Sequence, residues 1–239
     1  MDLTTHSNVA PDLLQMLGRS QALQDRIFEI LGDDGFHGAP RSQAAVGMCL
    51  VSIEHGQAVQ ALMSLALAVS AVGLVRLQFE ALTRAIWLLY AAPDSAVDKM
   101  LAPLVQESER AAKNLPGASD MINDLVKKGR AQAAAHQMLS HFKEVSWPAL
   151  NSFVHGGVHA LNRSADGFPT VLARQLLRNS NGLTTMTGMT LAVLTGDQLC
   201  ANAMSRIQRE FADCLPELLE HPPAAKPISP VARTPRHVG

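Results

Sequence analysis

The stretch AVGLVRLQFEALTRAIWLLYA, residues 71–91, decides the fold of this chain. Its large apolar residues recur in steps of four and three positions: Val75, Phe79, Leu82, Ile86 and Leu89. That spacing places them on one face of a helix and is typical of a helix packed in a bundle. The sequence therefore predicts a central helix from about Ala71 to Ala91.

The segment around this helix carries almost no charge. Over residues 42–92 the charged side chains are Glu54, Arg76, Glu80 and Arg84. The last three lie four residues apart, so that on a helix they form one polar stripe. Because a buried charge is costly unless it is paired, the stripe indicates an internal ion pair or the wall of a site. We expect Glu80 to pair with Arg76 or Arg84.

The composition favours helices and limits the classes of function. Hydrophobic residues make up 47% of the 239 residues and aromatic residues only 4%, so small aliphatic side chains must fill the core. Strand signals are absent. The formal net charge is −1, so the protein as a whole does not attract nucleic acid electrostatically. Any phosphate site would have to depend on a local group of residues. Three cysteines without CxxC spacing suit a reducing cytoplasm.

The sequence pattern of the whole chain predicts a series of helices that are separated by prolines and glycines. We predict helices over residues 11–31, 42–68, 71–91, 94–113, 118–128, 131–139, 148–162, 170–178 and 183–219. The expected fold is all-α, an up-and-down helical bundle over residues 41–220. An N-terminal helix and loop precede it over residues 1–40, and a proline-rich tail over residues 221–239 is expected to be disordered.

A membrane span is the alternative for residues 58–75, which are nearly all apolar. About 20 such residues would cross a bilayer. Gln60, Ser64 and Ser70 interrupt the run, however, and no cluster of Lys or Arg flanks it. We expect two buried helices there, no membrane partner, and a cytoplasmic protein without a signal peptide.

A second polar motif is WPALNSFVHGGVH, residues 147–159. If one helix runs from Trp147-Pro148 to about Asn162, then Asn151, His155 and His159 share a face, and Ser152 lies beside them. Two glycines inside a helix cost roughly 1 kcal/mol each relative to alanine. That cost suggests close approach of a neighbouring helix or of a ligand beside His155.

Three interpretations of this motif stay open. The histidines could be satisfied polar groups of a helix interface. His155 and His159 could chelate a metal ion, with His136, His141 or the pair Glu54 and His55 as further ligands. His155 could instead move a proton while an arginine holds a phosphate. Residues 178–182, RNSNG, are typical of a helix C-terminus. Alternatively, they form a polar lip, a segment that covers His155.

Two stretches together resemble a known group of proteins: LVRLQFEALTRAIWLLY, residues 74–90, and NSFVHGG, residues 151–157. They are similar to bacterial helical domains of the HEPN superfamily (higher eukaryotes and prokaryotes nucleotide-binding), including abortive-infection-associated members. The shared pattern is R-x-x-x-E-x-x-x-R/W on one helix and S-x-x-x-H or S-x-x-H on a later one. The similarity covers about residues 42–215.

The resemblance implies a four-to-five-helix core and a homodimer. In active members it implies a metal-independent ribonuclease, in which an R-x4–6-H motif from each protomer meets across the dimer. This sequence departs from that motif, because Pro148, Ala149 and Leu150 stand where the arginine belongs. The missing cation could come from the stripe or from downstream arginines: Arg76, Arg84, Arg163, Arg174 or Arg178.

The sequence thus predicts a site and leaves its function between alternatives. The candidate catalytic residues are His155, Asn151, Ser152 and Arg84. The candidate substrate-binding residues are Arg76, Glu80, His159 and Arg178. No cofactor is expected, and the expected partners are a second copy and RNA or a nucleotide, in bacterial defence or stress response. The alternatives are a non-catalytic dimerisation or partner-binding protein, in which the same residues form a buried polar network, and a metal-binding helical bundle.

Overall fold

The computed structural model describes residues 10–32, 35–36, 38–103, 105–106, 110, 114–128, 131 and 133–217. Every regular element in this part of the chain is a helix, which confirms the predicted all-α class. The tail over residues 221–239, predicted to be disordered, lies outside the described residues.

The helices whose bounds the structure describes follow along the chain in this order. They are α1 (Pro11–Leu31), α2 (Pro40–Ser64), α3 (Ala68–Tyr90), α4 (Asp94–Leu101), α5 (Ala118–Lys128), α6 (Ala133–Val154), α7 (Val158–Asp166), α8 (Thr170–Thr195), α9 (Gln198–Met204) and α10 (Ile207–Glu210). Both α1 and α2 begin with a proline, whose fixed φ suits a helix start and whose missing N–H has no intrahelical partner there. Gly32 ends α1 with φ of 62°.

Helix α3 is the centre of the bundle, as predicted. It packs against α2, α5, α6 and α8, and Phe79 and Leu82 are fully buried. Contacts between the long helices show that they alternate in direction, with α1, α3 and α8 running one way and α2 and α6 the other. This is the up-and-down arrangement expected, and α1 packs against α8 as part of it.

The break between α2 and α3 falls earlier than predicted. Helix α2 ends at Ser64 rather than near residue 68, and α3 begins at Ala68 rather than Ala71. Ala66 between them has φ of 57°, a left-handed conformation that is uncommon outside glycine. The apolar run is therefore divided between two helices. Among the helices that the structure describes, none combines the length and hydropathy needed to cross a bilayer.

Helix α4 is shorter than predicted, because proline stops it. It ends at Leu101 instead of continuing to Lys113. Ala102 is extended, with φ of −60° and ψ of 141°, since the ring of Pro103 disfavours a helical residue before it. Residues 104, 107–109 and 111–113 of the predicted helix lie outside the described part of the chain.

The second half of the chain has longer helices than the sequence suggested. The predicted helices over residues 131–139 and 148–162 are wrong, because α6 runs unbroken through Pro148 and then stops at Val154. Pro148 is exposed, and so is Glu144, whose carbonyl loses its partner there and can be solvated. The predicted break at residues 178–182 is also wrong, since α8 continues to Thr195. It ends at Gly196, which has the left-handed φ of 74°.

Candidate functional site

An ion pair within α3 forms the base of the candidate site. Arg76 Nε donates to Glu80 Oε1 over 2.9 Å, one helical turn further along. The Arg76 side chain is 17% exposed and the Glu80 side chain is 33% exposed, so the pair is half-buried. The predicted pairing of Glu80 is confirmed, with Arg76 as its partner. Arg84 does not join them, and its Nε is buried with no hydrogen-bond partner among the described residues.

The same guanidinium connects α3 to the end of α6. Arg76 Cζ lies 4.7 Å from the centroid of the Trp147 ring. Arg76 Nη1 lies 3.4 Å from His155 Nε2. A guanidinium has donors only, so His155 Nε2 is the acceptor in this contact and its proton is assigned to Nδ1. The two polar motifs of the sequence therefore meet through Arg76.

Aromatic side chains fix this junction from the core side. The ring of Phe79 stacks on Phe142 with centroids 4.8 Å apart and meets Trp147 edge-on at 5.9 Å. Aromatic residues are only 4% of the chain, and three of them gather here. Because Trp147 is held by Phe79 and in turn lies under Arg76, the guanidinium has a defined position at the edge of the bundle.

His155 lies just beyond the end of α6 rather than inside a helix. Gly156 has φ of 63°, and the N–H of Gly157 donates to the Ser152 carbonyl over 2.6 Å. The two glycines thus end α6, since glycine adopts the left-handed conformation without steric cost. The prediction that Asn151, His155 and His159 share one helix face is wrong for this reason. His155 is exposed, and its N–H donates to the Asn151 carbonyl over 3.0 Å.

Ser152 and His159 hold the turn between α6 and α7. Ser152 Oγ accepts the N–H of His159 over 3.1 Å, near the beginning of α7. A Cβ at Gly157 would lie 2.7 Å from that oxygen, so a side chain there would displace the Ser152 hydroxyl. The His159 ring stacks with Phe153 at a centroid distance of 6.1 Å. Ser152 is therefore a capping group in this structure, and His159 is a neighbour of the site on a separate helix.

Arg178 belongs to another part of the molecule. It lies inside α8, and its Nη2 donates to the Asp213 carbonyl over 3.2 Å. The interpretation of residues 178–182 as a helix C-terminus is wrong. Within the described residues, no hydrogen bond or ion pair joins Arg178 to His155. Arg178 therefore ties α8 to the C-terminal segment instead of forming a lip over the site.

The described residues do not assemble the alternative metal site. No group of three or more His, Cys, Asp or Glu that could hold a metal ion occurs among them. His155 and His159, the expected chelating pair, lie on either side of the glycine turn. Cys49 and Cys214 are buried, and burial raises the pKa of their thiols to about 12 and about 11. Both are small core residues rather than reactive thiols.

Sequence reasoning missed a second polar cluster, which lies in the core. Its centre is Gln78, a fully buried residue of α3 that faces α8. Gln78 Nε2 donates to the Ser180 carbonyl at 3.1 Å and to Thr184 Oγ1 at 3.0 Å, and Ser180 Oγ donates to Gln78 Oε1 at 2.8 Å. Every polar atom of this side chain is thus bonded. We call this group of Gln78, Ser180 and Thr184, together with Ser52 and Thr187, the Gln78 network.

Helix α2 joins the Gln78 network, and a separate pair of bonds ties α1 and the C-terminal segment to α8. The Ser52 hydroxyl of α2 donates to the Gln78 carbonyl at 3.1 Å and lies 3.1 Å from Thr187 Oγ1. On α1, Ser20 Oγ accepts from Asn181 Nδ2 over 2.9 Å, and Asn181 Nδ2 also donates to the Cys214 carbonyl. The available signal was Gln78 itself, a polar residue three positions after Val75 on the core face of the central helix.

The match to a protein family covers both polar clusters of α3. No curated protein and no solved structure matches the chain significantly. Residues 49–217 match the model of DUF6988, which is described as a family of unknown function. That segment is more than half of the chain, and it contains Arg76, Gln78 and His155. The chain therefore belongs to the DUF6988 family.

Proposed function

We propose that this protein is a HEPN-like helical protein that binds RNA or a nucleotide through a phosphate group at Arg76 and His155. One observation carries the proposal: Arg76 Nη1 lies 3.4 Å from His155 Nε2. The HEPN-like pattern needs an arginine close to the histidine, and positions 148–150 do not contain one. Arg76 supplies that cation from a different helix.

The free donors at this junction suit a phosphate. Of the five N–H groups on the Arg76 guanidinium, one is used by Glu80 and one points to His155. The others can form charge-assisted bonds to phosphate oxygens, with His155 exposed next to them. Glu80 offsets part of the positive charge that a phosphorane would need. Binding is therefore better supported than cleavage, and a metal-independent ribonuclease is the stronger form of the proposal.

The proposal includes a homodimer in which the two His155 regions lie together. Its support is the apolar surface that flanks His155, where Val154 is 42% exposed and Val158 and Leu161 are each 69% exposed. Large apolar side chains that are contiguous on a surface mark interaction sites. A role in bacterial defence or stress response rests on the HEPN-like resemblance alone, whereas a cytoplasmic location rests on the three cysteines without CxxC spacing.

Binding of labelled single-stranded RNA and of nucleotides, measured by fluorescence anisotropy, tests the proposal. His155→Ala should weaken binding by about 10- to 100-fold, since a charge-assisted contact contributes about 1.5–3 kcal/mol. His141→Ala is the matched control, because His141 is an exposed histidine on α6 that makes none of these contacts. Absence of binding by the wild type, or equal loss in both variants, would contradict the proposal.

A second candidate function is a non-catalytic dimerisation or partner-binding protein. The observation that favours it is the Gln78 network, which joins α2, α3 and α8 through bonds that leave no polar atom of Gln78 free. Such a network specifies one packing of the helices and supports a rigid scaffold. A wild-type protein that forms a stable dimer by light scattering yet binds neither RNA nor nucleotides would favour this candidate.

A further inference from the structure

A cleft of about 530 Å³ lies at the carboxyl end of α3, at the opposite end of that helix from Arg76. Arg41, Tyr90 and Lys128 line it, with Leu89 and Ala92 as apolar wall. Tyr90 follows Arg76 by fourteen positions, which corresponds to about 20 Å along a helix axis. The volume is in the range of small-molecule sites. This cleft is therefore separate from the site of the proposed function.

Two cations of different helices converge on the cleft. Arg41, at the beginning of α2, donates to the Leu88 carbonyl and, over 2.6 Å, to Asp94 Oδ1. Lys128, the last residue of α5, donates to the Ala91 carbonyl. Cations at a helix C-terminus satisfy carbonyls that have no intrahelical partner. Bonds to the described residues leave three of the five N–H groups of Arg41 and two of the three of Lys128 available.

The remaining polar groups of the cleft leave room for an anion. Among the described residues that line the cleft, Asp94 is the one carboxylate, and its side chain is 93% exposed. An ion pair with such an exposed carboxylate is weak, so an incoming oxyanion can replace Asp94 as the partner of Arg41. The Tyr90 hydroxyl has no hydrogen-bond partner among the described residues. Burial raises the pKa of Tyr90, which keeps the hydroxyl protonated and available as a donor at neutral pH.

We infer that this cleft binds a small organic oxyanion, a carboxylate or a phosphate attached to an apolar group. Arg41 and Lys128 hold the oxyanion, the Tyr90 hydroxyl donates to it, and the apolar group packs against Leu89 and Ala92. Among the described lining residues two cations face one carboxylate, so their net charge is positive. The assignment does not depend on RNA or nucleotide binding at Arg76.

Ligand binding to the full chain, measured by thermal unfolding and titration calorimetry, tests the assignment. Benzoate and phenyl phosphate at millimolar concentration should raise the Tm, since a ligand of the native state alone stabilises it. Benzyl alcohol and sodium chloride of equal ionic strength should leave it unchanged. The oxyanion with the lower Kd identifies the headgroup. Unchanged Tm with both oxyanions would overturn the inference.

Variants locate the binding in this cleft. Lys128→Met should raise the Kd about tenfold and Tyr90→Phe about threefold, in line with a charged and a neutral hydrogen bond. Lys127→Met is the control, because Lys127 is the neighbouring lysine of the same last turn and does not line the cleft. Tyr90→Phe keeps the ring and its packing. Two results would overturn the assignment. One is a Kd equal to that of the wild type in both Tyr90→Phe and Lys128→Met, and the other is a rise in Kd in Lys127→Met as large as that in Lys128→Met.

Discussion

Arg76 and Gln78 lie two residues apart on α3, and their surroundings differ completely. Gln78 is fully buried, and all its side-chain polar atoms bond to groups of the core. The Arg76 side chain is 17% exposed and shares its guanidinium between Glu80, Trp147 and His155. A saturated buried network specifies how helices pack, whereas a half-open cluster can exchange one of its partners for a ligand. Stability should therefore depend on Gln78, and binding on Arg76.

The largest expected effect is the loss of the Gln78 side chain. Gln78→Ala leaves Ser180 Oγ without its acceptor and opens a cavity in the core, so we expect a destabilisation of about 3–4 kcal/mol. Gln57→Ala, an exposed glutamine on α2, is the control and should change stability by less than about 0.5 kcal/mol. Urea denaturation measures both. If Gln78→Ala lowered the free energy of unfolding as little as Gln57→Ala does, the network would not stabilise the fold.

A smaller effect is expected at Gly56, which makes room for the Gln78 network. A Cβ there would lie 2.8 Å from Gln78 Nε2 and 3.0 Å from Thr184 Oγ1. Because three hydrogen bonds hold the Gln78 amide, Gly56→Ala should cost about 1–3 kcal/mol. Gly47→Ala, elsewhere on α2 and with open space around it, should instead stabilise by about 0.5–1 kcal/mol.

The double variant tests whether Gly56 acts through Gln78. In a Gln78→Ala background the obstructing amide is gone, so Gly56→Ala should cost less than it does in the wild type. The coupling energy from the four unfolding free energies reports this directly. An unchanged cost in the double variant would mean that the network is not what requires glycine at position 56.

The smallest effect on stability is expected for the Arg76 cluster. Glu80→Ala should cost about 1 kcal/mol, since its ion pair with Arg76 is half-buried. Glu29→Ala is the control, because Glu29 pairs with Arg26 and is 70% exposed, and its cost should be close to zero. Glu80→Ala should also tighten RNA or nucleotide binding in the anisotropy assay, since it frees a donor on Arg76. Weaker binding would contradict the assigned role of Glu80.

The accuracy of the helix predictions followed the strength of the local signals. The sequence predicts helix α1 correctly from Pro11 to Leu31, because proline begins it and glycine ends it. Helix α6 was divided wrongly at Pro148, where proline is tolerated on an exposed face of a helix that packing holds in place. Glycines gave an ambiguous signal: Gly188 lies inside α8, while Gly156 ends a helix through its left-handed conformation.

Local sequence was enough to establish the helical class, the central position of α3 and the Arg76–Glu80 pair, since all three depend on residues a few positions apart. It could not establish that Arg76 reaches His155, 79 residues later, or that Gln78 bonds Ser180, 102 residues later. Helical periodicity reports which face a residue occupies and says nothing about which distant helix covers that face. Packing decided which polar residue was sealed in the core and which stayed partly exposed.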